Sequence, residues 1–183
     1  MAGLFKGFTP ADISGQNQPK SSQQRGIRSS ILEAYPRLEE ALDTIWPKKA
    51  PVIVAKCTDH RTLLVIDGDV LFFQIWDNPW APTLKLLHKY PSMLPKFQAD
   101  RGAVKFVLNG ANVMCPGLTH ADAALEDVEA GRVVALHAAG KENAMAIGFT
   151  VMSTAEIKDK NKGIGVDNWH FLGDGLFKLG PLS

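Results

Sequence analysis

Arg101-Gly102-Ala103-Val104-Lys105-Phe106-Val107-Leu108-Asn109-Gly110-Ala111-Asn112-Val113-Met114-Cys115-Pro116-Gly117-Leu118 is the stretch on which the fold turns. Val104, Phe106 and Leu108 alternate with Lys105 and Val107, which is the period of a half-buried strand. Asn109-Gly110 and Cys115-Pro116-Gly117 are turn signals. Downstream the same pattern continues. Val133–Ala138 and Ala144–Val151 read as strands joined across Gly140-Lys141-Glu142-Asn143. Ser153-Thr154-Ala155-Glu156 is a capping box opening a short helix. Trp169–Leu172 and Leu176–Leu179 read as a last hairpin across Gly173-Asp174-Gly175, with Gly163 and Gly165 as hairpin glycines before it. Short strands at this spacing predict a small β-rich barrel.

Upstream the pattern differs. Residues 14–19, Ser14-Gly15-Gln16-Asn17-Gln18-Pro19, are polar and read as a loop. Ile27, Ile31, Ala34 and Leu38 then recur at helical spacing, with Ser21 or Ser22 as the cap. Tyr35-Pro36 interrupts that helix, and a second one over Leu38–Trp46 is stopped by Pro47. Pro51–Lys56, Thr62–Asp67 and Val70–Trp76 are three strands, the last two joined by Asp67-Gly68, a dipeptide that favours a tight hairpin. Thr83 caps a helix over Thr83–Tyr90, which Pro91 ends. The chain therefore divides into an α+β domain over 1–95 and a β-rich domain over 96–183, with the proline-bounded helix at the seam.

Composition limits the function. The chain has 183 residues, 45% of them hydrophobic and 21% charged, as in ordinary folded proteins. No apolar run reaches the length of a membrane helix, and the N-terminal residues lack the long apolar stretch expected of a secretory signal. Two cysteines, Cys57 and Cys115, are too few for a disulfide scaffold or a thiolate zinc site, so a reduced, cytoplasmic setting is expected. His60, His88, His120, His137 and His170 lack zinc-site spacing. Gly163-Ile164-Gly165 lacks the third glycine of a dinucleotide fingerprint, and Gly140-Lys141 lacks the rest of a phosphate loop. No nucleophile elbow or metalloprotease motif occurs. We expect no enzyme, no cofactor, no metal, and a monomer when isolated.

Net charge is only +1, so any contact with nucleic acid must be local. One region qualifies. Lys85, His88, Lys89, Lys96, Arg101 and Lys105 face a single acid, Asp100, within the same stretch. Lys85, His88 and Lys89 fall at i, i+3 and i+4 on one helix face, with Leu84 and Leu87 on another. A basic face beside Tyr90 and Phe97 suits phosphate contacts. Asp122, Glu126, Asp127 and Glu129 form an acidic cluster that would repel RNA and marks a solvent or partner face.

The 101–118 stretch strongly resembles the opening of a PUA domain, the RNA-binding pseudobarrel. Ala146-Ile147-Gly148, Asn161-Lys162-Gly163-Ile164-Gly165-Val166 and Asp174-Gly175-Leu176 agree with it. The resemblance marks Gly102, Gly110, Ala111, Met114, Pro116 and Gly117 as motif positions, structural or on the RNA face. Trp46-Pro47-Lys48-Lys49, Gly68-Asp69-Val70-Leu71-Phe72-Phe73 and 82–91 extend the match to the malignant T-cell-amplified-sequence protein family across essentially the whole chain. That resemblance implies a non-enzymatic translation factor that binds small-subunit ribosomal RNA and tRNA. It would work in release of tRNA after termination, in reinitiation and in non-standard initiation. Its partner would be a density-regulated-protein-like factor with a SUI-type domain. The alternative is a general PUA-type RNA-binding module with no ribosomal role.

Overall fold

The computed structural model describes residues 3–182. Its first half is an antiparallel sheet of five strands in sequential order: β1 (Ile13–Asn17), β2 (Val52–Cys57), β3 (Arg61–Ile66), β4 (Asp69–Ile75) and β5 (Ala81–Pro82). The expected β3–β4 turn is present. Asp67 and Gly68 both have positive φ, +51° and +86°, as a two-residue primed turn requires. The strand β1 occupies what the sequence presented as a polar loop. It is an edge strand, mostly exposed, with an irregularity between Ile13 and Gly15, so no apolar alternation announces it.

Helix α1 (Ser21–Ala34) includes both candidate serine caps in its first turn: Lys20 is the cap, and Gln23 Oε1 accepts its N–H at 3.0 Å. The expected Leu38–Trp46 helix is broken into a 3₁₀ turn, Pro36–Leu38, and a single turn α2 (Leu42–Ile45). At the seam, α3 (Leu84–Lys89) is capped as expected, Thr83 Oγ1 accepting from Leu86 N–H. Leu84, Leu86 and Leu87 bury its inner side.

The second half holds a six-stranded half-barrel in the order β7-β11-β10-β9-β6-β8. Its elements in chain order are β6 (Lys96–Ala99), α4 (Val104–Val107), β7 (Val113–Met114), α5 (Pro116–Thr119), β8 (Ala124–Leu125), β9 (Val133–Ala138), β10 (Ala146–Thr150), α6 (Thr154–Lys160), β11 (Ile164–Phe171) and α7 (Gly175–Lys178). The pairing of β6 with β9 is parallel; the others are antiparallel. Ser153 and Glu156 form the expected capping box of α6.

Two expected strands are helices. Val104–Leu108 winds into α4, preceded by a 3₁₀ turn at Arg101–Ala103, and Leu108 N–H bonds Val104 C=O at 2.9 Å. The apparent alternation does not correspond to burial: Val107 is buried, whereas Phe106 and Leu108 are exposed. Leu176–Leu179 does not pair back on its neighbour. Asp174 caps α7 instead, accepting from Phe177 N–H at 2.9 Å. The preceding strand starts at Ile164 and runs through Gly165, so Gly163, with φ +81°, is the turn glycine there.

The halves share a core. Phe5, Leu63, Phe72, Phe73 and Leu84 pack in one cluster with Val133, Ile147, Trp169 and Leu176 from the second half. A separate cluster around Phe97, Val107, Cys115, Leu136 and Val166 fills the half-barrel. The N-terminal segment joins the two halves. Gly175 N–H donates to Phe5 C=O at 2.9 Å, and Arg61 donates to Leu4 C=O. Phe5 packs edge-on against Phe73 with centroids 5.2 Å apart.

Candidate nucleic-acid interface

A groove of about 630 Å³ opens along the 100–117 stretch. Gly102, Ala111, Met114, Pro116 and Gly117, five of the six motif positions, line it together with Phe106 and Ile164. Phe106 is 57% exposed, Met114 48% and Ile164 37%. Apolar side chains this exposed, lining one concavity, are the kind of patch that interaction sites present, which makes the groove the candidate interface.

Local chemistry explains the shape. Asp100 N–H donates to Gly117 C=O at 2.8 Å and closes the stretch into a ring. A Cβ on Gly117 would lie 3.3 Å from Ala103 Cβ, and one on Gly102 would lie 3.1 Å from Asp100 Oδ2. Behind the groove sits Asn168, fully buried on β11. Its side-chain amide donates to Val107 and Ala111 C=O, both at 3.0 Å, while its own N–H donates to Asn112 Oδ1 at 2.9 Å. One buried side chain thus fixes the 107–112 segment that forms the groove wall. Gly110 lies outside the groove. With φ +95°, it lets Gly3 approach to 3.3 Å of where a Cβ would stand.

Four of the six basic candidates divide between two surfaces, and His88 and Lys96 lie on neither. Lys105 is exposed on α4, its Nζ 5.2 Å from the Phe106 ring centre, so a cation stands beside the groove's aromatic. Arg101 is exposed between the lining residues Asp100 and Gly102, with its Nε 3.6 Å from Asp122. On the other surface, Lys85 and Lys89 border a cleft of about 260 Å³ also lined by Asp69, Thr83, His170 and Phe177. Lys85 Nζ lies 5.3 Å from the Phe177 ring centre. Half-buried His88 shares their helix but is engaged elsewhere: its Nε2–H donates to Ala144 C=O at 2.9 Å and pins α3 to the half-barrel. Lys96 is exposed at the start of β6, and its main-chain N–H donates to the Glu126 carboxylate. The groove and the α3 cleft thus each hold only part of the basic set.

Sequence reasoning missed Phe106 as a surface aromatic and Asn168 as its support. Exposure of an apolar residue leaves no trace in periodicity, and a lone Asn inside an apolar strand gives only a weak signal. It also missed a convergence of possible metal ligands: one atom each from Asp100, His120 and Asp122 lies within 4.8 Å of the others. His120 Nδ1 is 3.3 Å from Asp100 Oδ1, and Arg101 already faces Asp122.

A half-barrel carrying this groove defines a PUA-domain protein. Models of a Pre-PUA-like domain and of a PUA domain match residues 8–91 and 95–172. The chain is 52% identical to the malignant T-cell-amplified sequence 1 homolog of Drosophila melanogaster, covering 98% of this chain and 100% of that one. It is 46% identical to translation machinery-associated protein 20 of Saccharomyces cerevisiae, covering 96% and 98%. A solved hypothetical protein from Pyrococcus horikoshii has the same fold, with a TM-score of 0.73 over 90% of this chain and 98% of its own at 22% identity. The chain belongs to the malignant T-cell-amplified sequence family.

Proposed function

We propose that this chain is a non-enzymatic, RNA-binding translation factor that acts on the small ribosomal subunit. The observation that carries this reading is the groove of the PUA domain, in which exposed Phe106, Met114 and Ile164 stand beside Lys105. RNA is recognised in single strands by stacking bases on such side chains, each stacked base being worth about 1–3 kcal/mol. Cations alongside hold the backbone without reading sequence. In this reading Phe106 receives an unstacked base, Lys105 and Arg101 neutralise its phosphates, and Lys85 and Lys89 grip a second length of backbone. Family membership and the name of the yeast relative support a role in translation.

The finer assignment follows the family resemblance: removal of tRNA after termination and support of reinitiation, together with a density-regulated-protein-like factor. The two surfaces suit such a positioning device, because a chain that touches RNA at two places can orient a partner on the subunit. The direct test is fluorescence anisotropy of a labelled single-stranded RNA with the full chain. Phe106→Ala should weaken binding about tenfold, the factor that corresponds to removing about 1.4 kcal/mol of base stacking. Unchanged affinity would remove the groove from the proposal. Affinity capture from cell extract tests the partner: small-subunit proteins and a zinc-containing SUI-type factor should co-purify.

A further inference from the structure

The cleft beside α3 contains one buried group with an unmet hydrogen bond. His170 is fully buried on β11 yet forms part of the cleft wall, together with Thr83, Lys85, Lys89 and Phe177. Its Nδ1 lies 3.0 and 2.8 Å from the two Asp174 oxygens, and its Nε2 has no hydrogen-bond partner among the described residues. The Asp174 carboxylate also accepts Phe171 and Phe177 N–H, both at 2.9 Å, so it is an acceptor at Nδ1 as well. In the neutral ring the proton therefore sits on Nδ1, and Nε2 carries a bare lone pair. Phe5 and Phe73 hold the ring in this orientation by T-shaped contacts, with centroids 6.1 and 5.7 Å away. A buried acceptor left unpaired costs about 1–3 kcal/mol, so Nε2 calls for a donor from outside the chain.

The rest of the cleft narrows the choice of donor. Val70, Leu71, Leu86, Leu176 and Leu179 make its walls largely apolar. Thr83 Oγ1 is already engaged, donating to Val70 C=O at 3.3 Å and accepting from Leu86 N–H at 3.4 Å. Besides His170, the charged or titratable side chains lining the cleft are Asp69, Lys85 and Lys89, all exposed and none in an ion pair among the described residues. Asp174 lies behind His170, its charge held by three N–H groups. Two ammoniums thus stand against one unpaired carboxylate, and the mouth favours an anion. At about 260 Å³ the cleft is just below the roughly 300 Å³ at which ordinary small-molecule pockets begin. Its occupant is therefore small, apolar in the middle, anionic at one end and a hydrogen-bond donor at the other. A nucleotide combines these features. At the centre of the Watson–Crick edge, uracil and guanine carry a ring N–H. Cytosine and adenine carry a bare ring nitrogen there, which would meet Nε2 lone pair to lone pair.

We infer that this cleft holds one nucleotide bearing uracil or guanine, with its ring N–H donated to His170 Nε2 and its phosphate held by Lys85 and Lys89. The inference rests on the RNA-binding reading above, in which the same lysines grip backbone, and adds a base-reading group to them. The same chemistry serves a free nucleotide and a nucleotide within an RNA strand.

The test is isothermal titration calorimetry of the full chain at about pH 8, above the ordinary histidine range. The probes are uridine monophosphate, cytidine monophosphate, N3-methyluridine monophosphate and a nine-nucleotide oligouridylate. Uridine monophosphate should bind more tightly than the cytidine and N3-methyl compounds, and should shift one imidazole Nε2 resonance in nitrogen-15 spectra of histidine-labelled protein. His170→Asn keeps an amide donor for Asp174 but has no Nε2. It should delete that resonance and weaken uridine monophosphate binding about three- to tenfold, the loss of one hydrogen bond of about 0.7–1.4 kcal/mol. Lys85→Ala/Lys89→Ala should weaken binding and flatten its salt dependence, and Asp69→Asn should tighten it. Oligouridylate binding with the same dependence on His170 assigns the cleft to RNA, and binding of the monophosphate alone assigns it to a free nucleotide. Absence of binding by both, equal affinity for the uridine and cytidine compounds, or equal binding by His170→Asn would overturn the inference. So would an Nε2 resonance indifferent to nucleotide, which would make a buried water its partner. Oligouridylate affinity that falls in Phe106→Ala but not in His170→Asn, without uridine monophosphate binding, would uphold the groove and overturn this site. His170-dependent uridine monophosphate binding, with oligouridylate affinity indifferent to Phe106→Ala, would do the reverse.

Discussion

Gly175 shows how much one hydrogen atom can decide. A Cβ at this position would stand 2.1 Å from Phe8 C=O and 2.7 Å from Phe8 N, and main chain cannot yield as a flexible side chain can. Gly175→Ala should therefore expel the N-terminal segment from between the halves and cost at least about 2 kcal/mol, read as a lowered urea midpoint. A second residue links stability to pH. His137 is buried on β9, and burial, with the nearby Lys96 charge, holds its imidazole pKa below the usual 6.5. The unfolded chain then binds a proton that the folded chain refuses. This contribution is fully present above pH 6.5 and is lost as pH falls below it toward the folded value. The stability of His137→Gln should accordingly decline less steeply than wild type between pH 7 and 5 in denaturant titrations. Equal slopes would mean that His137 takes up its proton in the folded chain.

Among the elements, α3 makes the clearest commitment. Its cap and three leucines fix it from within, and Lys85 and Lys89 are left on its outer side. Lys85→Glu/Lys89→Glu should leave circular dichroism unchanged and shift stability by only about 0.5 kcal/mol, as surface changes do. Binding to purified small subunits should nevertheless fall sharply. Single Lys→Ala changes should flatten the slope of log affinity against log salt by about 0.7–0.9 for each phosphate no longer neutralised. The suitable control is Asp127→Lys/Glu129→Lys, because Glu126 accepts from Lys96 N–H and pairs with Arg37 at 3.7 Å. The same helix shows which features are legible in sequence. Thr83, Asp67-Gly68 and the Ser153–Glu156 box act within a few residues of chain, so their signals survive without tertiary context. Val104–Leu108 has no such local signal. Four or five apolar residues fit either period, and the choice falls to Asn168, about sixty positions away, which ties down the Val107 carbonyl at 3.0 Å. The glycines of the groove are legible as motif positions. That Phe106 faces outward is not, because exposure depends on which neighbours arrive.

Across the whole molecule, two sheets and one shared core turn separate surfaces into a fixed arrangement. Trp169 stacks on Phe149 with centroids 4.4 Å apart and meets Phe73 of the first sheet at 6.2 Å, so the halves are held by aromatic packing as well as by the N-terminal segment. The groove and the α3 cleft therefore keep their spacing, as the positioning role proposed above requires. No helix among the described residues is long and apolar enough to cross a membrane. The central claim is that the PUA groove holds the chain on the small ribosomal subunit, and co-sedimentation with purified subunits at near-physiological salt tests it most directly. Wild type should pellet with the subunits, and Lys105→Glu/Phe106→Ala, with unchanged circular dichroism, should remain largely in the supernatant. Equal pelleting of the two proteins, or a wild type that binds free RNA but stays in the supernatant, would contradict it.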